Sequence, residues 1–172
     1  TGDTMAADVE ILDLSDSSAP TFGTLIGISG LGSSWRWNAT TATVSGGVTR
    51  NGGSYHLDWV QPELTADQLR SASGASPQDL VRWLKLPDDV PTPVLDQARQ
   101  IVADASTPFD KALKLHQFFL DPANGFQYST TTTTADTGDG LTDFLISRQG
   151  FCQQYAGAMA VMARQVGLPA RI

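Results

Sequence analysis

The chain has 172 residues and a formal net charge of −7, and its 11 lysines and arginines form no basic run. Because phosphate binding needs clustered basic side chains, this composition argues against a nucleic-acid partner. No stretch approaches the roughly 18 consecutive apolar residues of a transmembrane helix. The apolar fraction of 41% suffices for a packed core in one domain or two small ones. The single cysteine excludes an internal disulfide and a zinc site built from several cysteines. We predict no cofactor and no metal.

Residues 1–62 form a β-rich N-terminal region. Its short apolar or β-branched runs span 9–14, 22–29 and 40–44. The Asn51-Gly52-Gly53 turn precedes residues 55–60, in which Tyr, Leu and Trp alternate with His, Asp and Val. This period of two is typical of a strand whose faces differ, so we predict a small sheet or sandwich.

Residues 63–91 form a helical connector. Thr65 can cap a short helix that reaches Ala72, and Ser76-Pro77 is a second helix-start signal. Residues 86–91 contain two prolines and predict an extended linker.

Two helices follow the connector and open the C-terminal region, 92–172. Thr92-Pro93 and Thr107-Pro108 both favour a helix start, because Thr caps a helix and Pro is tolerated at its first position. The connection between the two helices is short, so they should pack on each other. The apolar stripe that we assign to the second helix, from Phe109 to Leu120, includes His116, which we therefore expect to face the core.

Three shorter elements are predicted after these helices. Residues 126–128 should be extended, residues 129–140 should form a mobile, Thr-rich loop, and residues 142–147 should form a short helix.

The segment around Cys152 carries the chemical signal. Gly150 interrupts regular structure two residues before the cysteine, and residues 156–163 are apolar on every face. A Gly and a Pro follow this run and favour a helix stop. We therefore predict a buried helix that begins at Cys152 and reaches about Gln165.

A cysteine at the start of a helix has a specific chemistry. Unpaired N–H groups and a partial positive charge at that end favour a thiolate over a thiol. The same N–H groups can bind the oxyanion that forms when a thiolate attacks a carbonyl. The alternative is a small buried hydrophobic residue. Because a glycine precedes the cysteine at the start of a buried helix, we interpret Cys152 as a nucleophile and not as a packing residue.

The motif Gly150-x-Cys152, followed by a helix of small residues and then Arg164-x-x-Gly167-Leu168-Pro169-Ala170-Arg171, resembles the nucleophile segment of transglutaminase-like domains. The helices at 93–120 and the sequence Phe126-x-Tyr128 are similar, more weakly, to the lead-in of bacterial members. The resemblance implies an α+β fold. In it, the small β-rich region precedes a partial papain-like core that carries a buried nucleophile helix and spans 92–172.

The strand at 55–60 and the segment 83–87 resemble the region that precedes the core in membrane-anchored bacterial members. In those proteins the core lies outside the cytoplasm, between transmembrane helices. The resemblance thus implies an extracytoplasmic domain at the cell membrane, attached only through segments outside this chain.

Members of this family use a Cys-His-Asp triad, and only Cys152 of this chain maps onto it. The family's His and Asp lie on strands that follow the Ala-Arg exit, whereas this chain stops at Ile172. The resemblance implies that the parent protein is an enzyme that transfers acyl groups from protein or peptide amides through a cysteine thioester. Because a nucleophile needs a base, we expect this chain alone to be inactive.

Other residues near the cysteine are weaker candidates. Gln149 and Gln153 flank it and could line the oxyanion site or be ordinary surface residues, and Tyr155 should pack. His56 should lie on the sheet surface and His116 in the core. Neither lies where the family places its base, so we predict that neither pairs with Cys152.

Several interpretations stay open at this stage. An amine or water could resolve the thioester, which separates a transglutaminase from a cysteine peptidase. The fold could instead serve as a non-catalytic binding or assembly module at the cell envelope, or as a half-domain completed by another chain. The helix face that the truncated core leaves uncovered should associate with a second copy or with further polypeptide.

Overall fold

The computed structural model describes residues 2–72, 78–131 and 137–172. The chain divides into two compact units, Thr1–Thr65 and Ala66–Ile172. None of the helices within the described ranges is long and apolar enough to cross a bilayer. The mixture of small sheets and helices confirms the predicted α+β class. The Ser76-Pro77 signal and the middle of the 129–140 loop lie outside the described residues.

The larger sheet of the first unit is antiparallel and has the order β1-β6-β3. Its strands are β1 (Gly2–Glu10), β3 (Thr24–Ser29) and β6 (Ser54–Pro62). The predicted alternation in β6 is confirmed, because Tyr55 and Leu57 are buried while His56 and Asp58 are partly exposed. The apolar run 9–14 does not form the first strand. Strand β1 ends at Glu10, and Leu12 and Leu14 are exposed. Pairing with β6 makes the weakly apolar N-terminus a strand.

A second small sheet has the order β2-β5-β4. Its strands are β2 (Ser18–Ala19), β4 (Arg36–Asn38) and β5 (Thr43–Ser45). The buried hydrophobic residues of this unit, within the described part of the chain, are Ile11, Ala19, Val44, Tyr55 and Leu57. The Tyr55 hydroxyl donates a hydrogen bond to the Pro20 carbonyl at 2.8 Å, so the polar end of this buried ring is satisfied.

The second unit is mainly helical. Its α-helices are α1 (Ala66–Ser71), α2 (Thr92–Ile101), α3 (Pro108–Leu120), α4 (Gly140–Ser147) and α5 (Cys152–Gln165). Short 3₁₀ helices span Gln78–Trp83 and Pro122–Asn124, and two short strands, β7 (Gln127–Tyr128) and β8 (Gln149–Gly150), form a parallel pair. Helices α2, α3 and α4 all pack against α5, so the unit is organised around the helix that begins at Cys152.

Side-chain bonds fix the start of α3. The Thr107 hydroxyl accepts from the backbone N–H of Asp110 at 3.1 Å and donates to the Asp110 carboxylate at 2.7 Å. Arg70 of α1 donates to the same carboxylate at 2.9 Å. The Thr107 hydrogen bond and the Arg70 guanidinium hold the pKa of Asp110 below its ordinary value. This carboxylate therefore joins α1 to the first turn of α3, which Thr107 caps.

The buried face of α3 differs from the predicted stripe. Leu115 and Phe119 are buried, whereas His116 is exposed and Leu120 is 64% exposed. Apolar residues occupy more than one face of this helix, so its sequence alone leaves the facing side ambiguous. Contact with α2 and α5 selects the Leu115–Phe119 face, and His116 is then turned to solvent. The expectation of a core-facing His116 is wrong.

We predict that unfolding of the first unit depends on the charge of His56. Its Nδ1 lies 2.7 Å from Asp8 Oδ1 across β1 and β6, and this hydrogen bond raises the pKa of His56 above its ordinary value. The stabilisation is then fully present below the unfolded-state pKa of about 6.5 and is lost as pH rises through the raised folded value. The Asp8 side chain is 92% exposed and the His56 side chain 39% exposed, so solvent screens the interaction and the effect should be small.

The measurement is urea unfolding of wild type and Asp8→Asn at about pH 5.5 and about pH 8.5, which bracket the ordinary His pKa. Wild type should lose more stability than Asp8→Asn between the two values. Asp3→Asn removes an equal charge from the same strand, opposite Gln61, and serves as the control. Equal pH dependence in wild type and Asp8→Asn would contradict the prediction.

The neighbouring residues Leu115 and His116 provide a test of the α3 face. Leu115→Ala should destabilise the chain by about 2–5 kcal/mol, because it removes a fully buried side chain and leaves a cavity. His116→Ala should stay within about 0.5 kcal/mol of wild type, because that side chain is exposed. Urea denaturation measures both. A cost at His116 similar to that at Leu115 would show that the assigned face is wrong.

Candidate functional site

Cys152 is the first residue of α5, and the predicted helix from Cys152 to Gln165 is confirmed. Phe151 precedes it in an extended conformation, with φ −113° and ψ −175°. Cys152 is a free and exposed thiol. The alternative of a buried, purely packing cysteine is therefore wrong, and the sulfur is open to a reactant.

The chain that leads into Cys152 is held by the parallel pair β7 and β8. The Gln127 N–H donates to the Arg148 carbonyl, and the Ser129 N–H donates to the Gly150 carbonyl, both at 2.8 Å. Arg148, in the left-handed region at φ 56°, also donates from its guanidinium to the Asn124 carbonyl. These bonds fix the backbone on both sides of Gln149 before α5 begins.

Gly150 lets this backbone approach an aromatic ring. A Cβ atom at this position would lie 2.8 Å and 2.9 Å from Cδ2 and Cε2 of Phe144, and 3.2 Å from Cβ of Gln154. Nonbonded carbon atoms do not approach so closely, so any side chain at position 150 would displace the Phe144 ring or β8. The expectation that Gly150 interrupts regular structure is wrong, because Gly150 pairs with Tyr128 in β8. Its missing side chain instead permits close packing against Phe144.

A cluster of aromatic rings packs against the first turn of α5. Tyr155 lies 4.9 Å from Phe144 and 5.9 Å from Phe119 between ring centroids, both edge-on, and stacks on Tyr128 at 6.4 Å. Phe126 lies 5.5 Å from Phe144. Burial raises the pKa of Tyr155 above its ordinary value, so the phenol stays neutral. The expectation that Tyr155 packs is confirmed.

Three glutamines surround the cysteine in different ways. Gln149 is half-buried in β8, and Gln153 is exposed in the first turn of α5. Gln154 is half-buried, and its Oε1 accepts from the Phe151 N–H at 3.1 Å. Gln154 is absent from the site residues predicted from sequence, because a capping-box signal also needs Ser, Thr, Asp or Asn at the cap, where this chain has Phe151.

Neither histidine completes a triad with Cys152 in the described part of the chain. The ring of His56 is bound to Asp8 within the first sheet, and His116 lies on the exposed face of α3. No hydrogen bond to the Cys152 side chain is formed by any described residue. Across these same ranges, no cluster of His, Cys, Asp and Glu could hold a metal ion.

The far end of α5 explains the rest of the sequence motif. Gly167 has φ +83°, its N–H donates to the Arg164 carbonyl at 3.1 Å, and the Leu168 N–H donates to the Ala163 carbonyl at 2.9 Å. This pair of bonds is a Schellman helix end, which favours Gly because of the left-handed conformation. The predicted stop is confirmed.

Arg164 ties the chain after this stop to the 83–85 segment. Its Nε and Nη2 donate to the Ala170 carbonyl at 2.9 and 2.7 Å, and its Nη1 donates to the Lys85 carbonyl at 3.0 Å. The Ala170 N–H donates to the Trp83 carbonyl at 3.0 Å. The arginine of the motif is therefore structural, because it satisfies two backbone carbonyls at once.

An apolar groove, here called the exit groove, runs along α5 on the same helical face as Cys152. Its volume is about 380 Å³, and it is lined by Ala112, Ala156, Met159, Ala160, Ala163 and residues 168–172. Positions 152, 156, 159, 160 and 163 follow helical spacing, so the cysteine lies in line with the groove. A second groove of about 330 Å³ lies between α4 and α5 and includes Gln153 and Gln154.

The C-terminal residues of the chain are similar to a known protein family. Residues 96–172 match the model of the transglutaminase-like superfamily. A protein-glutamine gamma-glutamyltransferase of Pseudomonas aeruginosa is 42% identical over 78 residues, which are 45% of this chain and 11% of the relative. The protein YebA of Bacillus subtilis is 29% identical over 132 residues, which are 73% of this chain and 18% of the relative. The chain thus spans less than a fifth of either relative.

The fold extends this likeness to almost the whole chain. The periplasmic domain of TgpA from Pseudomonas aeruginosa superposes with a TM-score of 0.74 and 22% identity, over 98% of this chain and 55% of that domain. The β-rich region is thus part of the shared fold. By their match to the family model, residues 96–172, with Cys152 at the start of their central helix, form a transglutaminase-like domain.

Proposed function

We propose that the protein containing this chain is a thiol acyltransferase that acts on glutamine carboxamides of proteins or peptides, with Cys152 as its nucleophile. The observation that carries the proposal is the exposed thiol at the first residue of α5, where backbone N–H groups can face a reacting carbonyl. The relative named as a protein-glutamine gamma-glutamyltransferase supports this choice of substrate.

In the proposed reaction, the Cys152 thiolate attacks the carboxamide carbon, and the carbonyl π electrons move to oxygen. The N–H groups at the start of α5 stabilise this oxyanion. Collapse of the intermediate breaks the C–N bond, and the nitrogen leaves as ammonia after accepting a proton, which leaves a thioester on Cys152. A lysine amine then attacks the thioester, loses a proton, and regenerates the thiol while an isopeptide bond forms.

The reaction needs a base and acid, which the described residues do not bring to Cys152. The family resemblance assigns this role to a His, oriented by an Asp, on strands that follow the Ala-Arg exit. The exit groove lies in line with Cys152 and is apolar, so polypeptide packed there would be held beside the sulfur. We propose that further polypeptide of the parent protein fills this groove and that the chain alone turns over poorly. A second copy is the alternative occupant.

We also propose that the domain works outside the cytoplasm. The structural neighbour with a TM-score of 0.74 is a periplasmic domain, and its fold covers 98% of this chain. Attachment to a membrane would then depend on segments outside residues 1–172. Accessibility of Cys152 in intact cells to a membrane-impermeant maleimide, compared with a permeant one, tests the location.

Two other functions make different predictions about the thioester. If water resolves it, the protein releases ammonia from glutamine, or cleaves peptides, without joining an amine. If the fold is a binding or assembly module at the cell envelope, Cys152 contributes nothing to function. The exposure of Cys152 favours chemistry over a purely structural role, since a packing cysteine is ordinarily buried.

The direct test replaces the nucleophile in the parent protein. Cys152→Ser should lower incorporation of a biotinylated amine into a glutamine-containing protein by about a thousandfold or more, as is typical when a catalytic nucleophile is removed. Gln117→Met, an exposed change on α3, should leave the activity unchanged. Activity retained by Cys152→Ser would sink the proposal. Ammonia release without amine incorporation would identify water as the acceptor.

Two glycine substitutions in the present chain test the packing that places Cys152. Gly150→Ala should destabilise it by about 1–3 kcal/mol, because the new methyl group overlaps the Phe144 ring. Gly157→Ala should stabilise it by about 0.5–1 kcal/mol, because Gly157 lies inside α5 with open space at its Cβ position. Urea unfolding measures both changes. Equal effects of the two substitutions would contradict the role assigned to Gly150.

A further inference from the structure

We propose that Gln154 is a positioning residue for the acyl-transfer reaction, because its side chain occupies the Phe151 N–H and thereby sets which backbone donors face the carbonyl on Cys152. This inference rests on the proposed function for its chemistry. The geometry behind the inference does not depend on the proposed function, because two hydrogen bonds join Gln154 to Phe151 across Cys152.

The two bonds form a closed turn around the nucleophile. The Gln154 Oε1 accepts from the Phe151 N–H at 3.1 Å, and the Gln154 N–H donates to the Phe151 carbonyl at 3.1 Å. The side chain of Gln154 is half-buried, and its Cβ lies close to the Cβ position of Gly150. The side-chain bond holds the Gly150–Phe151 peptide, which carries the Phe151 N–H, and the backbone bond holds the Phe151–Cys152 peptide, which carries the Phe151 carbonyl.

Because of this turn, one N–H group at the start of α5 is hydrogen-bonded and two others, within the described part of the chain, are not. The Phe151 N–H is occupied by Gln154. In the described ranges, no carbonyl accepts from the backbone N–H of Cys152 or Gln153. Those two groups are therefore available to bind an oxyanion on the carbon bound to Cys152 Sγ. Without the Gln154 side chain, the Phe151 N–H would need another acceptor, and the Gly150–Phe151 peptide could rotate to find one and shift the backbone that leads into Cys152.

The chemical type of the residue fits this role. Glutamate is the usual alternative at this position of a capping box. It would place a negative charge within one turn of the thiolate and of the oxyanion, which it would repel. Glutamine supplies the same acceptor oxygen without a charge.

The test compares two reactions of Cys152 in the present chain. Acylation by p-nitrophenyl acetate passes through an oxyanion: the thiolate attacks the ester carbon, p-nitrophenolate leaves, and a thioester remains. Alkylation by iodoacetamide displaces iodide at a saturated carbon and forms no oxyanion. The ratio of the two rates therefore reports on the oxyanion donors, whereas a change in exposure or ionisation of the thiol alters both rates together.

Gln154→Met, which keeps the length of the side chain and removes the acceptor, should lower the acylation-to-alkylation ratio about five- to tenfold. Gln154→Glu keeps the acceptor and should give a ratio between those of Met and wild type. Gln117→Met makes the same chemical change at an exposed position and should leave the ratio unchanged. A Met ratio within about twofold of wild type, or a Glu ratio as low as that of Met, overturns the proposal.

Amide hydrogen exchange tests the same hydrogen bond directly, in wild type and in the variants. In wild type, the Phe151 amide should exchange at least about fivefold more slowly than the amides of Cys152 and Gln153, as expected for a bond of about 1 kcal/mol. Gln154→Met should remove this protection and Gln154→Glu should keep it. Equal exchange of the three amides in wild type overturns the inference. Neither experiment uses glutamine or an amine, so its failure is distinct from failure of the proposed function.

Discussion

The contact between the Gly150 backbone and the Phe144 ring is the constraint on which the candidate site depends. It brings β8 against α4, and Tyr155 then packs on the other edge of the same ring cluster. The Cys152 thiol is therefore placed by aromatic packing on one side and by the β7–β8 hydrogen bonds on the other. Because interiors are close-packed, a shift of this ring would move the start of α5 directly.

The two ends of α5 are fixed by different kinds of bonds. At the cysteine end, a neutral side chain, Gln154, satisfies a backbone N–H and leaves others open. At the far end, Arg164 and the Gly167 turn satisfy backbone carbonyls, and Lys111 donates to the Val166 carbonyl at 3.2 Å. Helices need such partners at both ends because their terminal N–H and carbonyl groups lack intrahelical bonds. In α5 the open groups lie beside Cys152, where the proposed chemistry requires them.

The exit groove lies beside the proposed nucleophile. Cys152 and the small residues of α5 lie on one helical face, and that face forms an apolar groove rather than a closed core. A groove of this kind can accept a strand or a second chain, and either would exclude water from the sulfur. Exclusion of water strengthens every electrostatic interaction that stabilises an oxyanion. Under the proposed function, polypeptide bound in this groove would thus favour the reaction at Cys152.

The sequence by itself determined the local elements of the C-terminal unit, because their signals are local. Thr-Pro starts, the Gly-Pro stop and the apolar run after Cys152 predicted α2, α3 and α5, and the residues from Gly150 to Arg171 indicated the family. Tertiary structure decided which face of α3 is buried, and so placed His116 in solvent, since apolar residues occupy several faces of that helix. It also decided where β1 lies, because a weakly apolar segment becomes a strand only through its pairing with β6. The reason that Gly150 must be glycine, and the partner that Gln154 finds, also came from structure, because both depend on contacts with neighbouring backbone and ring atoms that no periodicity records.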